Sequence, residues 1–249
     1  MSGSKLYFAS DFHLGVPNHE KSLERERKIV RWLESIEHDA EAIYLLGDTF
    51  DFWFEFRKVV PKGYVRLLGK LAMLRDKGIP IYMFKGNHDM WMYGYLEKEI
   101  GATVISDEHI INAQNKRLFL HHGDGLGPGD RSYKFLKRFI FKNPVGEFLF
   151  KLAPPAWGIG IAEYFSSKSR LANQKTDEQF NEEQEWLLQY CRDKVKTDAF
   201  DYMIFGHRHL PLDIEVGEQC RYINLGEWVN HFTYGVLDQG QLSLLKFEE

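Results

Sequence analysis

The chain is poor in cysteine: two residues in 249, Cys191 and Cys220, far apart and in no C-x-x-C arrangement. Neither a disulfide framework nor a thiolate zinc site is suggested, and the two thiols read as small buried apolar groups. No apolar run reaches the roughly 18 residues that a spanning helix needs. The opening MSGSKLYFASD meets an aspartate too early for a signal peptide. A cytoplasmic, non-spanning protein is expected. Internal repeats and low-complexity tracts are also missing. Positive charge is not in excess either: the formal net charge of −4 argues against a surface given over to nucleic acid. What the chain does have is apolar residues, 44% of it, enough for a sizeable core.

Apolar and β-branched runs recur as KLYFAS (5–10), AIYLLG (42–47), IPIYMFKG (79–86), RLFLHHG (117–123), DYMIFG (201–206) and RYINLG (221–226), and all but the first end in Gly. Between the first three lie helical spacings: Leu23, Val30, Leu33 and Ile36, then Val65, Leu68, Leu71 and Leu74. Strand alternating with helix predicts an α/β domain with largely parallel strands in its first half. From about 127 to 176 the strand signal vanishes, and prolines interrupt an aromatic, basic stretch that reads as a helical cap inserted into one domain spanning 1–249. After it, residues 177–196 predict an amphipathic helix with Phe180, Leu187, Tyr190 and Val195 on one side.

Polar groups follow five of the strands: Asp11-Phe12-His13, Gly47-Asp48-Thr49-Phe50-Asp51, Gly86-Asn87-His88-Asp89, His121-His122-Gly123-Asp124 and Gly206-His207-Arg208-His209. A single G-N or G-D is ordinary turn chemistry. Five in order, each directly behind a strand, are not explained that way, because the carboxyl ends of strands in an α/β sheet gather at one edge. Oxygen and imidazole donors without a thiolate suit hard to borderline divalent ions such as Mn, Fe, Mg or Zn. Seven donors exceed what one ion with an open position uses, so two ions sharing a carboxylate are expected. Of His121 and His122 only one is a ligand, since successive strand residues face opposite sides. His19, His38, His109 and His231 stand in no such context and read as surface or core residues.

In that order, D-F-H, G-D-x-x-D, G-N-H-D, H-G-D and G-H-x-H resemble the calcineurin-like metallophosphoesterase superfamily over residues 11–209. The resemblance implies two facing mixed β-sheets flanked by helices and a dinuclear metal centre, most simply of manganese. Carried over by motif position, Asp11, His13 and His209 would bind one ion, Asn87, His122 and His207 the other, and Asp48 would bridge them. His88 would serve the phosphoryl group as acid or hydrogen-bond donor, with Asp51 orienting it. The GDTFDFW stretch, the pair Asp130 and Tyr133, SSKSRLANQK and LGEW further resemble the UDP-2,3-diacylglucosamine diphosphatase family. That likeness implies an acylated nucleotide-sugar substrate, contacted by Asn87, His88, Asp130, Tyr133, Ser169, Asn173 and Lys175, and a peripheral place at the inner face of the inner membrane. The family commonly carries Arg where this chain has His88, and often Glu at the position of Asp51.

Residues 131–175 hold nine Lys or Arg against two Glu, a charge of +7 inside a chain of −4, together with nine Phe, Tyr or Trp. Basic and aromatic helices of this kind suit an anionic bilayer surface or a greasy groove with cationic rims. An ordinary cap whose aromatics form its own core fits the same spacing, and the family resemblance favours the lipid reading. No nucleic-acid partner is expected. A soluble hydrolase of nucleotides or other phosphoesters, or a scaffold with a degenerate metal site, are the other readings; oligomeric state is left open.

Overall fold

The computed structural model describes residues 5–127, 180–183 and 185–248. The insertion expected at about 127–176 therefore lies, Gly127 apart, outside the described residues. In chain order the elements are β1 (Lys5–Ala9), α1 (His19–Ile36), β2 (Ala40–Leu45), α2 (Val65–Asp76), β3 (Ile81–Phe84), α3 (Tyr95–Glu99), β4 (Thr103–Ile105), β5 (His109–Ala113), β6 (Lys116–His121), α4 (Trp186–Lys194), β7 (Tyr202–Phe205), β8 (Pro211–Val216), β9 (Cys220–Leu225), β10 (Thr233–Asp238) and β11 (Gln241–Lys246). They form a six-stranded sheet, β11-β10-β1-β2-β3-β4, and a five-stranded sheet, β5-β6-β7-β9-β8. Both are mixed. Strands β1 to β4 are parallel to their neighbours in that run, as are β6, β7 and β9, while β10, β11, β5 and β8 add antiparallel pairs.

The two-residue alternation of a strand explains the layers. Leu6 and Phe8 of β1, with Ala42 and Tyr44 of β2, face Leu118, Leu120, Ile204 and Ile223 of the second sheet and form the core between sheets. Tyr7 and Ala9, with Ile43 and Leu45, point the other way, onto α1 and α2. Phe119, Met203, Phe205 and Tyr222 likewise back the second sheet onto α4. The result is the expected pair of facing sheets flanked by helices. Cys191 and Cys220 are buried and free, as read from their isolation, and burial pushes both thiols up, Cys220 to about 11. No helix of the described residues is long and apolar enough to cross a membrane.

The helix faces follow the expected spacing at Leu33, Ile36, Leu71 and Leu74, which are buried, and depart from it elsewhere. On α1 the buried side is Ser22, Arg25, Glu26, Ile29, Trp32, Leu33 and Ile36, with Leu23 and Val30 only half-buried. Arg25 and Glu26 sit inward because they serve backbone groups: an Arg25 Nη2 donates to the His13 carbonyl at 3.1 Å, and Glu26 Oε1 accepts from the first-turn amides of Arg66 (2.8 Å) and Leu67 (3.0 Å), capping α2 from outside. On α2 the buried residues are Leu67, Lys70, Leu71 and Leu74, and Val65 is exposed. Helix α4 is shorter than the 177–196 expected. Phe180 is exposed ahead of it, because Asn181 Oδ1 accepts from Glu183 N at 3.1 Å in a local turn that competes with helix.

Trp228 is fully buried against Phe12 (5.3 Å between ring centroids) and Trp32 (5.0 Å), and its Nε1 donates to the Thr233 carbonyl at 2.9 Å. Its own amide donates to the Asp11 carbonyl at 3.1 Å. Trp228→Ala is expected to cost about 3–5 kcal/mol of stability by denaturant titration. A loss under about 1 kcal/mol would show that this aromatic knot does not anchor the loop after β1.

Candidate metal centre

Strands β1, β2, β3, β6 and β7 all deliver their motif loops to one edge of the sandwich. After β1, Phe12 is buried between Trp32 and Trp228, so alternation turns Asp11 and His13 toward the site. The backbone there is unusual: Asp11 (φ 56°), His13 (φ 44°), Asp48 (φ 51°), His207 (φ 69°) and His209 (φ 57°) all adopt the left-handed region. Such conformations in residues with side chains cost of order 1–3 kcal/mol each and persist where the surroundings over-determine them. Here the surroundings are visible. Asp11 N donates to the Gly47 carbonyl (3.1 Å), His13 N to the Asp48 carbonyl (2.9 Å) and His207 N to Asp11 Oδ2 (3.0 Å).

The glycines that end the strands are explained by space. A Cβ on Gly86 would stand 2.1 Å from Asp48 Oδ1, one on Gly47 2.6 Å from His122 Nδ1, and one on Gly206 2.5 Å from Asp11 Oδ2.

The structure brings the seven expected ligand residues together. His209 Nε2 lies 3.0 Å from His13 Nε2 and 3.2 Å from Asp11 Oδ1. On the other side Asn87 Oδ1 lies 2.9 Å from His207 Nδ1 and 3.2 Å from His122 Nε2. Asp48 Oδ2 stands between the groups, 3.9 Å from His13 Nε2 and 3.4 Å from His122 Nε2. His122 Nδ1 donates to the Leu46 carbonyl at 2.7 Å, which leaves Nε2 facing Asp48 and Asn87. His121 turns away, its Nδ1 accepting from Gly123 N at 2.8 Å. Asp51 meets two imidazoles: its carboxylate lies 3.5 Å from His13 Nδ1 and 3.7 Å from His88 Nδ1, while its backbone carbonyl accepts from His88 Nδ1 at 3.0 Å. The expected orientation of His88 by Asp51 thus runs chiefly through the main chain. Asp130, Tyr133, Ser169, Asn173 and Lys175 lie outside the described residues.

Asp89 is not among the residues the motifs assign to metal or substrate. It is fully buried and accepts from Gly86 N (2.8 Å), Asp48 N (3.2 Å) and Phe50 N (3.3 Å), tying the turn after β3 to the turn after β2. Its place as the last letter of G-N-H-D was the available signal.

Oxygen and imidazole donors of this kind fit divalent cations, and two details support the fit. Asp11 Oδ1 is buried with imidazole nitrogens facing it, His209 Nε2 at 3.2 Å and His13 Nε2 at 3.6 Å, and those two Nε2 atoms face each other at 3.0 Å. Burial alone would raise the Asp11 and Asp48 carboxyls, but the surrounding imidazoles hold both well below the usual carboxylate range. Burial would likewise lower His13 and His122; the Asp11 and Asp51 contacts to His13, and Asp48 beside His122, push each up to about 10 instead. Burial and the neighbouring His122 push His207 down to about 4, a neutral imidazole. Burial and the Asp48 charge raise Asp89 to about 7.

Protons on His13 and His122 therefore stand where cations would. Metal loading of chelator-treated protein at pH 7 is expected to release about two protons, measured as acidification of a weakly buffered solution. The raised histidines stabilise the metal-free fold fully below their usual 6.5 and lose that contribution as pH climbs toward about 10. The depressed carboxyls contribute above their usual 3.8 and lose that contribution as pH falls. The metal-free protein should accordingly melt highest between those limits. Loading without proton release would contradict the charge arrangement.

Residues 4–211 match the calcineurin-like phosphoesterase family. Among curated relatives, the UDP-2,3-diacylglucosamine hydrolase of Porphyromonas gingivalis is 39% identical, covering 99% of this chain and 98% of its own. The proteins of that name from Pectobacterium carotovorum and Haemophilus influenzae are 30% and 28% identical, covering 89% and 98% of this chain and 90% and 94% of theirs.

Proposed function

The chain belongs to the calcineurin-like phosphoesterase family, and from that premise we propose that it hydrolyses the pyrophosphate bond of UDP-2,3-diacylglucosamine to UMP and 2,3-diacylglucosamine 1-phosphate, a step of lipid A synthesis. The observation that carries this reading is coverage: a relative named for that substrate aligns with 99% of the chain, a span that takes in the basic, aromatic stretch as well as the metal centre. Asp11, His13 and His209 would hold one divalent cation and Asn87, His122 and His207 the other, with Asp48 shared. When bound, two such cations polarise phosphoryl oxygens and acidify a water for attack. Manganese is the ion to test first, with Fe, Mg and Zn, which accept the same donors, beside it.

His88 supplies the proton chemistry of the chain itself. Its Nδ1–H is held by the Asp51 carbonyl at 3.0 Å, and its Nε2 lies 4.0 Å from Asp48 Oδ2, at the margin of the cluster. Burial holds its pKa below the usual 6.5, against the pull of Asp48. An anionic diphosphate beside it restores the proton, and Nε2 then donates to a leaving or non-bridging oxygen. His88→Asn should slow hydrolysis of a substrate with a poor leaving group by about 10²–10⁴-fold while both metals stay bound. An unchanged rate in metal-replete protein would remove the acid role.

The basic, aromatic segment supports a peripheral place on the cytoplasmic face of an anionic membrane. His88 itself favours a second reading, because an imidazole stands where the lipid-directed family commonly has Arg: a soluble enzyme acting on a smaller phosphoester. Release of UMP from UDP-2,3-diacylglucosamine in detergent, with pelleting on anionic vesicles at moderate salt, supports the lipid substrate. Cleavage of an aryl phosphodiester alone, without pelleting, supports the second reading.

A further inference from the structure

Arg208 sits between two expected ligands of different ions, His207 and His209, and both of those histidines have left-handed backbones (φ 69° and 57°). A loop held in that conformation needs an external restraint. One is present on the far side of the second sheet. Glu185, the residue that opens α4, is 1% exposed, and its Oε2 accepts from Arg208 Nε at 2.8 Å. Its Oε1 accepts from the hydroxyl of Tyr222, a fully buried residue of β9, at 3.4 Å. The neighbouring strand also holds the loop at its start, where Asn224 Nδ2 donates to the Gly206 carbonyl.

A carboxylate this deeply buried is costly unless it is paired and hydrogen-bonded. Glu185 makes no ligand contact of its own, and its partners are the residue between two histidines and the strand beside them. We propose that Glu185 is a positioning residue, which through Arg208 sets the placement of His207 and His209 and hence the spacing of the two metal sites. The pair also fixes the start of α4, the first described helix after residues 128–179, to the metal centre. Movement at that helix end is thereby transmitted to one ligand of each ion. The inference rests on the metal assignment made above.

The test uses the full-length protein loaded with manganese, reading affinity by calorimetry and the dinuclear Mn signal by electron paramagnetic resonance. Glu185→Gln keeps the side-chain shape and removes the charge. Arg208→Met removes the guanidinium at a more accessible position and serves if the first variant does not fold. Each single variant is expected to weaken Mn binding by about 10–100-fold and to alter the spin-coupled spectrum, and the double variant to be no worse than either single one. Arg208→Lys, which keeps charge but not the directed Nε–H, should rescue only partly. A folded variant with wild-type affinity and an unchanged spectrum would overturn the positioning role while leaving the metal assignment intact. Wild-type protein that binds fewer than two Mn ions would overturn both.

Discussion

Asp48→Asn is expected to strip the chain of its paired metals and to reduce hydrolysis by more than about 10²-fold, since even residues that merely orient metal ligands are worth 10–100-fold. The substitution is nearly isosteric, and an amide oxygen can still accept from His88 N, the 2.9 Å bond that Asp48 Oδ1 now receives. What disappears is the negative charge between His13 and His122. Among the described residues the Asp48 carboxylate stands within 4.0 Å of both, so the His122 side loses that carboxylate and the charge common to the two halves is gone, while the His13 side keeps Asp11 at 3.6 Å. Metal content per chain by elemental analysis, beside the turnover number, reads the outcome. Retention of two ions by a folded variant would remove the shared-carboxylate assignment.

Gly86→Ala should produce a comparable loss without removing any donor atom. The added methyl would meet Asp48 Oδ1 at 2.1 Å, Asp48 N at 2.6 Å and Asp48 Cγ at 2.8 Å. Backbone atoms cannot rotate aside, so the turn after β2 or the turn after β3 must shift. Displacement of catalytic groups by about 1 Å is enough for a 10²-fold loss. Gly86 does not have a positive φ, so the requirement is for space and not for a left-handed backbone. Turnover at saturating manganese, with a melting curve to show the fold persists, checks this. Near wild-type activity would mean that the contact between the two turns is loose.

These expectations show where function was legible in the sequence. Strands β1, β2, β3, β6, β7 and β9 carry continuous apolar runs because both of their faces are buried, and the motifs after β1, β2, β3, β6 and β7 lie at one edge because these strands run parallel within their sheets. The remaining strands were not seen. Strand β4 has three residues, and β5, β8 and β11 lie at sheet edges with polar residues interleaved. Strand β10 is interrupted by Gly235, which packs close to Leu225 and Phe8. Two turns did leave a signal that went unread: Gln114 with Asn115 and Gln239 with Gly240 have positive φ at both residues, as tight hairpins require.

The helix faces were legible in part: Leu33, Ile36, Leu71 and Leu74 are buried as their spacing implies, while inward-facing Arg25, Glu26 and Lys70 look like solvated residues until their backbone or Glu37 partners are known. Residue types and order were enough to gather the candidate ligands. They said nothing of the left-handed backbones at Asp11, His13, Asp48, His207 and His209, of the three amides on Asp89, or of the buried Glu185, all of which depend on contacts between distant parts of the chain.

Hydrolysis of UDP-2,3-diacylglucosamine by the manganese-loaded protein in oxygen-18 water tests the central claim most directly. The expected result is UMP carrying one heavy oxygen, which places water attack on the phosphorus next to uridine. Label found in the acylated sugar phosphate, or no UMP from protein that binds two metals and still cleaves an aryl phosphodiester, would contradict it.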